Sequence, residues 1–127
     1  MLDYIKQNGM SWVMMAAMAI MVFVMFRKFL STASDDDIKN YLASNAMIID
    51  VRSRGEYSSG TFPNAVNIPH DQISSNTSRL PKDKNAKIIV FCASGMRSSS
   101  AQSTLKGLGY VNVLNAGGIG NILQFRK

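Results

Sequence analysis

The chain is poor in the residues that usually advertise chemistry. It holds one cysteine, one histidine and three prolines in 127 residues, and only eight acidic side chains against fourteen Lys and Arg. A single cysteine excludes an internal disulfide, so the fold requires no oxidising compartment. There is no run of five or six like charges and no basic stripe interleaved with aromatics, so the net charge of +6 does not read as a nucleic-acid surface. Asp35, Asp36 and Asp37 lack any further ligand cluster and read as the first turn of a helix capped by Ser34. No metal and no cofactor are expected. Length leaves room for one domain of ordinary size, roughly 100 residues, with an extra segment in front of it.

That extra segment is what the chain has in plenty. Residues 9–26 contain no charged side chain, and such a helix rises roughly 27 Å, close to a bilayer's hydrocarbon thickness. Arg27 and Lys28 can snorkel, extending the apolar stretch to Phe29 and Leu30. The reading is one transmembrane helix over 1–30 that touches the membrane through residues 10–30, a linker over 31–36, and a domain over 37–127. A cleaved signal peptide and a core helix are the alternatives. Against the signal peptide, Arg27-Lys28 separates the apolar run from the small residues Ser31 to Ser34. Positive flanks favour an outside N-terminus and a domain on the cytoplasmic side, with a periplasmic or exported domain as the alternative. Met14, Met18, Met21 and Met25 fall on one helical stripe, read as lipid-facing rather than as a dimer seam.

The chemistry concentrates later. Lys87-Ile88-Ile89-Val90-Phe91 is a β-branched, apolar run that predicts a buried strand. It delivers Cys92 into a small Gly-containing loop, and a helix follows from Arg97 to about Leu108. A thiol at the end of a strand and the mouth of a helix meets free N–H groups, a helix dipole and a guanidinium, all of which favour thiolate. Met47 to Val51 predicts a second buried strand that carries Asp50 and Arg52 to the same edge, where open α/β sheets bind ligands. Their role reads as support of that edge rather than direct chemistry. Glu56 and Tyr57 predict a short helical turn, Ala65 to Ile68 a short strand, and Asp71 to Leu80 a helix ended by Pro81. His70, after Pro69, reads as a turn or helix-start residue rather than a base. Short strands alternating with helices predict an α/β fold, a parallel sheet with helices on both faces.

Four segments in order resemble one known family. Cys92-Ala93-Ser94-Gly95-Met96-Arg97 is similar to the C-x-x-G-x-R active-site loop of rhodanese-like sulfurtransferases. Asp50-Val51-Arg52 with Glu56-Tyr57, Gly60-Thr61-Phe62-Pro63-Asn64-Ala65-Val66-Asn67-Ile68-Pro69, and Gly107 to Ile119 resemble three further family segments. The resemblance covers about residues 35 to 120 and implies the rhodanese-like α/β fold. Two departures stand out. Thr61 occupies a position where the family commonly has His, and the C-terminal helix with its usual Trp is shortened to residues 120–127.

The resemblance also implies a reaction. Cys92 takes a sulfane sulfur from thiosulfate or a persulfide donor and holds it as Cys92-S-SH, cradled by the loop Ala93, Ser94, Gly95, Met96 and Arg97. With no second cysteine to resolve it, an external thiol, cyanide or a partner protein's cysteine accepts the sulfur. Arg97 and Arg52 are expected to attract an anionic donor. The alternatives are a membrane-tethered binding module without turnover and, less favoured, Cys-dependent phosphatase or arsenate reductase chemistry. Phosphatase loops are C-x5-R, one residue longer than the C-x4-R here.

Overall fold

The computed structural model describes residues 2–29 and 32–126, with side chains for 11–26 and 32–126. It divides into two units, Met1–Leu30 and Ser31–Lys127. The first unit is a helix, α1 (Leu2–Phe29), whose side chains from Trp12 to Phe26 are exposed. Among the described residues no helix is long and apolar enough to cross a membrane, so the expected transmembrane helix lacks structural support. The flanks on which the expected span depended, Met10 and residues 27–30, lie outside the described side chains.

The second unit holds four parallel strands in the order β2-β1-β3-β4. The strands are β1 (Met47–Asp50), β2 (Val66–Asn67), β3 (Ile88–Cys92) and β4 (Val113–Gly118). Every residue of β3 is buried, and successive side chains alternate between the two faces of the sheet. Ile88, Val90 and Cys92 face a cluster with Ile49, Val51, Ile68, Ile73, Ala101, Leu105 and Tyr110. Ile89 and Phe91 face the opposite cluster, with Ile38, Ile48, Phe62, Ala65, Ala116 and Ile122. Helix α4 (Met96–Gly107) covers the first face; α2 (Asp35–Ala43) and α5 (Ile119–Ile122) cover the second. Both faces of the central strand are therefore dry, which explains its unbroken apolar sequence.

Local chemistry sets the boundaries. Ser34 caps α2 by accepting from the Asp37 N–H at 3.2 Å, and three aspartates occupy its positive first turn. The helix thus begins inside the segment read as linker, and the Ala33 N–H already donates to the Asn115 carbonyl. The five-residue α3 (Arg54–Ser58) starts with a capping box in which Ser53 and Glu56 exchange hydrogen bonds. Asp71 to Leu80 departs from expectation. Instead of a helix it forms turns and one 3₁₀ turn at Thr77–Arg79. Its polar side chains bond the local backbone: the Asn76 amide and the Ser75 hydroxyl both donate to the Gln72 carbonyl. Side chains that compete for backbone in this way stabilise turns over helix. The short C-terminal end does close the second face, because Ile122 is fully buried and Ile119, Leu123 and Phe125 pack against that cluster.

Candidate active site

Cys92 is the last residue of β3, fully buried, and pairs across the sheet with Gly118. The next residues, Ala93, Ser94, Gly95, Met96 and Arg97, turn the chain from strand into α4. Gly95 is the N-cap residue, at φ +100°, a conformation that favours glycine. The turn aims backbone donors at the sulfur, and the Gly95 N–H lies 2.9 Å from Cys92 Sγ. Burial is the largest single influence on the thiol and raises its pKa. The Ser98 hydroxyl and the N–H groups of Ser98, Ser94 and Gly95 together outweigh it, so the net shift is downward, toward thiolate.

Two residues that the sequence did not flag shape this site. Ser98 Oγ lies 3.5 Å from Cys92 Sγ, 3.0 Å from the Gly95 carbonyl and 2.6 Å from Asn115 Oδ1. Asn115, itself buried in β4, also accepts the Gly117 N–H and donates to Ser99 Oγ. One amide thus ties the mouth of α4 to β4 behind the thiol. The neighbouring glycines allow the close approach, since a Cβ on Gly118 would sit 2.6 Å from the Ala93 carbonyl oxygen. Asn115 among the apolar Val113, Leu114 and Ala116 was the available signal, but spacing alone does not show that it meets Ser98.

Arg97 does not float free over the loop. Its guanidinium makes a two-pronged pair with Glu56, the only glutamate in the chain, at 2.7 and 3.0 Å. Arg97, helped by Ser53, pulls the Glu56 pKa down to about 2. The capping box that starts α3 therefore also orients a carboxylate for the loop arginine 41 residues away.

Asp50 and Arg52 lie at the same strand edge as Cys92, since Asp50 pairs with Phe91. They are coupled to each other: Arg52 Nη2 lies 2.7 Å from Asp50 Oδ2, and Nε lies 3.0 Å from Oδ1. Arg52 Nη2 also donates to the Gly60 carbonyl, and Thr61 Oγ1 donates to Asp50 Oδ2. With side-chain exposures of 8% and 0%, this pair braces the edge. The Arg52 guanidinium is thus taken up by Asp50 and the Gly60 carbonyl, and the Thr61 hydroxyl binds the same carboxylate. His70 is half-buried, its backbone N–H donating to the Val51 carbonyl, and lines a cleft of about 560 Å³ together with Arg97.

The rhodanese-like domain model matches residues 34–123, and the chain belongs to that family. The thiosulfate sulfurtransferase PspE of Escherichia coli is 35% identical over 74 residues, covering 58% of this chain and 71% of the relative. The human thiosulfate:glutathione sulfurtransferase is 32% identical, covering 68% of this chain and 87% of the relative. A tRNA uridine(34) hydroxylase of Erwinia tasmaniensis is 35% identical over 86 residues, but the chain spans only 24% of its length. Among solved structures, the human single-domain sulfurtransferase TSTD1 superposes with a TM-score of 0.64 at 30% identity, covering 76% of this chain and 97% of that one.

Proposed function

We propose that the protein is a sulfurtransferase that carries sulfane sulfur on Cys92. The observation that carries this reading is the cradle itself: a lone cysteine whose sulfur meets the Gly95 N–H at 2.9 Å, beside Ser98, at the start of α4. An anion at that point is stabilised by the nest of loop N–H groups. The Cys92 thiolate attacks the outer sulfur of thiosulfate, the S–S bond breaks, sulfite leaves with the bonding pair, and Cys92-S-S⁻ remains. An acceptor thiolate then attacks the outer sulfur of the protonated persulfide, releasing RS-SH and regenerating the Cys92 thiolate. The activities of two sulfurtransferase relatives, one bacterial and one human, support the reaction class. The hydroxylase relatives contain this region as about a quarter of their length, and their activity belongs to the whole proteins.

The test is thiocyanate formation from thiosulfate and cyanide by the full-length protein in mild detergent. Turnover that disappears in Cys92→Ser supports the reading; turnover that persists in Cys92→Ser ends it. One observation favours a second reading, a rhodanese-fold binding module without turnover: Cys92 has 0% exposure. Absence of thiocyanate with every sulfane donor, from a folded protein, would select that module.

We also propose that α1 attaches the domain to a membrane, with the domain on the cytoplasmic side. Exposed Trp12, Val13, Met14, Met15, Ile20 and Phe23 support it, because so continuous an apolar surface is uncommon on a protein facing only water. Recovery in the alkaline-carbonate-washed membrane pellet tests attachment, and protease protection in sealed vesicles tests the side. Release into the carbonate supernatant would remove the anchor from the account.

A further inference from the structure

Asn115 is 1% exposed, in a strand where its neighbours are the apolar Val113, Leu114 and Ala116. A buried amide costs stability unless its polar atoms are bonded, so its place here calls for a reason. Between the pairs Val90–Asn115 and Cys92–Gly118, β3 advances two residues and β4 three, which puts a bulge in β4 beside the thiol. Asn115 closes that bulge by accepting the Gly117 N–H at 2.8 Å, with Gly117 at φ +80°. Its own carbonyl takes the Ala33 N–H at 2.8 Å. The residue is thus fixed through backbone and side chain alike, and its amide meets Ser98 and Ser99 on α4.

The bond to Gly117 settles which end of the amide faces Ser98. A backbone N–H only donates, so the atom it meets is the oxygen, Oδ1. Oδ1 only accepts, so its 2.6 Å contact with Ser98 Oγ carries the serine's one proton. The Gly95 carbonyl, at 3.0 Å, is the longer of the two carbonyl contacts. Ser98 Oγ therefore offers a lone pair to the sulfur 3.5 Å away, and the Cys92 S–H donates to it. The resting site is a relay: Cys92 S–H to Ser98, Ser98 O–H to Asn115. A thiolate has no proton to give, and a hydrogen bond to an anion is stronger than one to a neutral amide, so ionisation turns the serine's proton to sulfur at the expense of Oδ1. We propose that Asn115 is a positioning residue that acts through Ser98: by holding the serine's proton it stabilises the resting thiol and restrains the thiolate that begins sulfur transfer. The proposal rests on the reading of Cys92 as the sulfur carrier and adds the residue that governs how readily it becomes a nucleophile.

The charged groups around this edge are Arg97 on α4, Glu56 on α3, and Asp50 and Arg52 at the end of β1; β4 brings none. All four stay in every variant compared, so differences among variants report Ser98 and Asn115. The test is the rate of iodoacetamide alkylation against pH, on full-length protein in mild detergent, for wild type, Ser98→Ala, Asn115→Ala and the double variant. Asn115→Ala should shift the midpoint downward, opposite to Ser98→Ala, and alkylate about fivefold faster at a pH below both midpoints, the size of one neutral hydrogen bond. In the Ser98→Ala background the same change should have no effect, because the proton it governs is gone. An equal shift in both backgrounds would make Asn115 merely structural, and an unchanged or raised midpoint in Asn115→Ala would also overturn the proposal. Should Asn115→Ala fail to fold, the infrared S–H stretch of the lone cysteine decides between wild type and Ser98→Ala. A lower-frequency band in wild type marks an S–H that donates to Ser98; bands at the same frequency overturn the relay. Neither measurement needs turnover, so loss of the persulfide reading, seen as absent sulfur loading, is told apart from loss of the relay.

Discussion

Two arginines stand at the carboxyl edge of this sheet, each paired with a carboxylate, and they do opposite work. Arg52 follows β1, has 8% exposure and is locked to Asp50 two residues away. Arg97 follows β3, has 32% exposure and meets Glu56, whose side chain is 37% exposed. The first pair has no water to fall back on, so each charge depends on the other. The second pair keeps solvent on both partners, so it can part and re-form at little cost. Each arginine lies in its own family-like segment, and their surroundings make one a brace and the other a hand at the mouth of the reactive loop.

Breaking the buried pair tests the comparison most severely. Asp50→Ala strands the Arg52 charge and removes the acceptor for Thr61, so it should destabilise the domain by about 3–5 kcal/mol. Chemical denaturation checks this; a loss within about 0.5 kcal/mol, the range of ordinary surface substitutions, would refute the brace. Arg97→Ala should show the reverse pattern. Its stability should change by less than about 1 kcal/mol, while sulfur loading from thiosulfate slows roughly tenfold or more. Thermal melting alongside single-turnover kinetics separates the two effects, and equal losses of stability in both variants would erase the distinction.

Ser98→Ala acts on the thiol rather than on either arginine. It removes a donor that lowers the Cys92 pKa, so the midpoint of alkylation rate against pH should move upward from its wild-type position. A midpoint that stays in place would show that the loop N–H groups suffice alone. The smallest expected effect lies in acid. The Glu56 pKa is depressed to about 2, so its pair with Arg97 contributes fully above the ordinary value near 4.5 and is lost as pH falls from there through about 2. In Glu56→Gln that segment of the stability profile should flatten, as acid titration followed by circular dichroism would register.

What the sequence disclosed follows the range of the interactions. β3, its loop and α4 were legible because an apolar run, a lone cysteine, a glycine and an arginine adjoin in twelve residues. Asp50 and Arg52 were legible as edge residues because parallel strands place their carboxyl ends together. The Glu56–Arg97 pair spans 41 positions, and the Ser98–Asn115 contact joins a helix to a strand 17 positions away, so neither leaves a local pattern. Residues 71–80 misled in another way. Their apolar spacing admits a helix, but Ser75 and Asn76 between bond the Gln72 carbonyl and hold the chain in turns.

The central claim is that Cys92 holds the travelling sulfur. Full-length protein incubated with thiosulfate, freed of donor and weighed intact, tests it without any acceptor. The account predicts a gain of about 32 Da, the mass of one sulfur atom, that cyanide removes and that Cys92→Ala never acquires. An unchanged mass in the wild-type protein, or the same gain in Cys92→Ala, would contradict it.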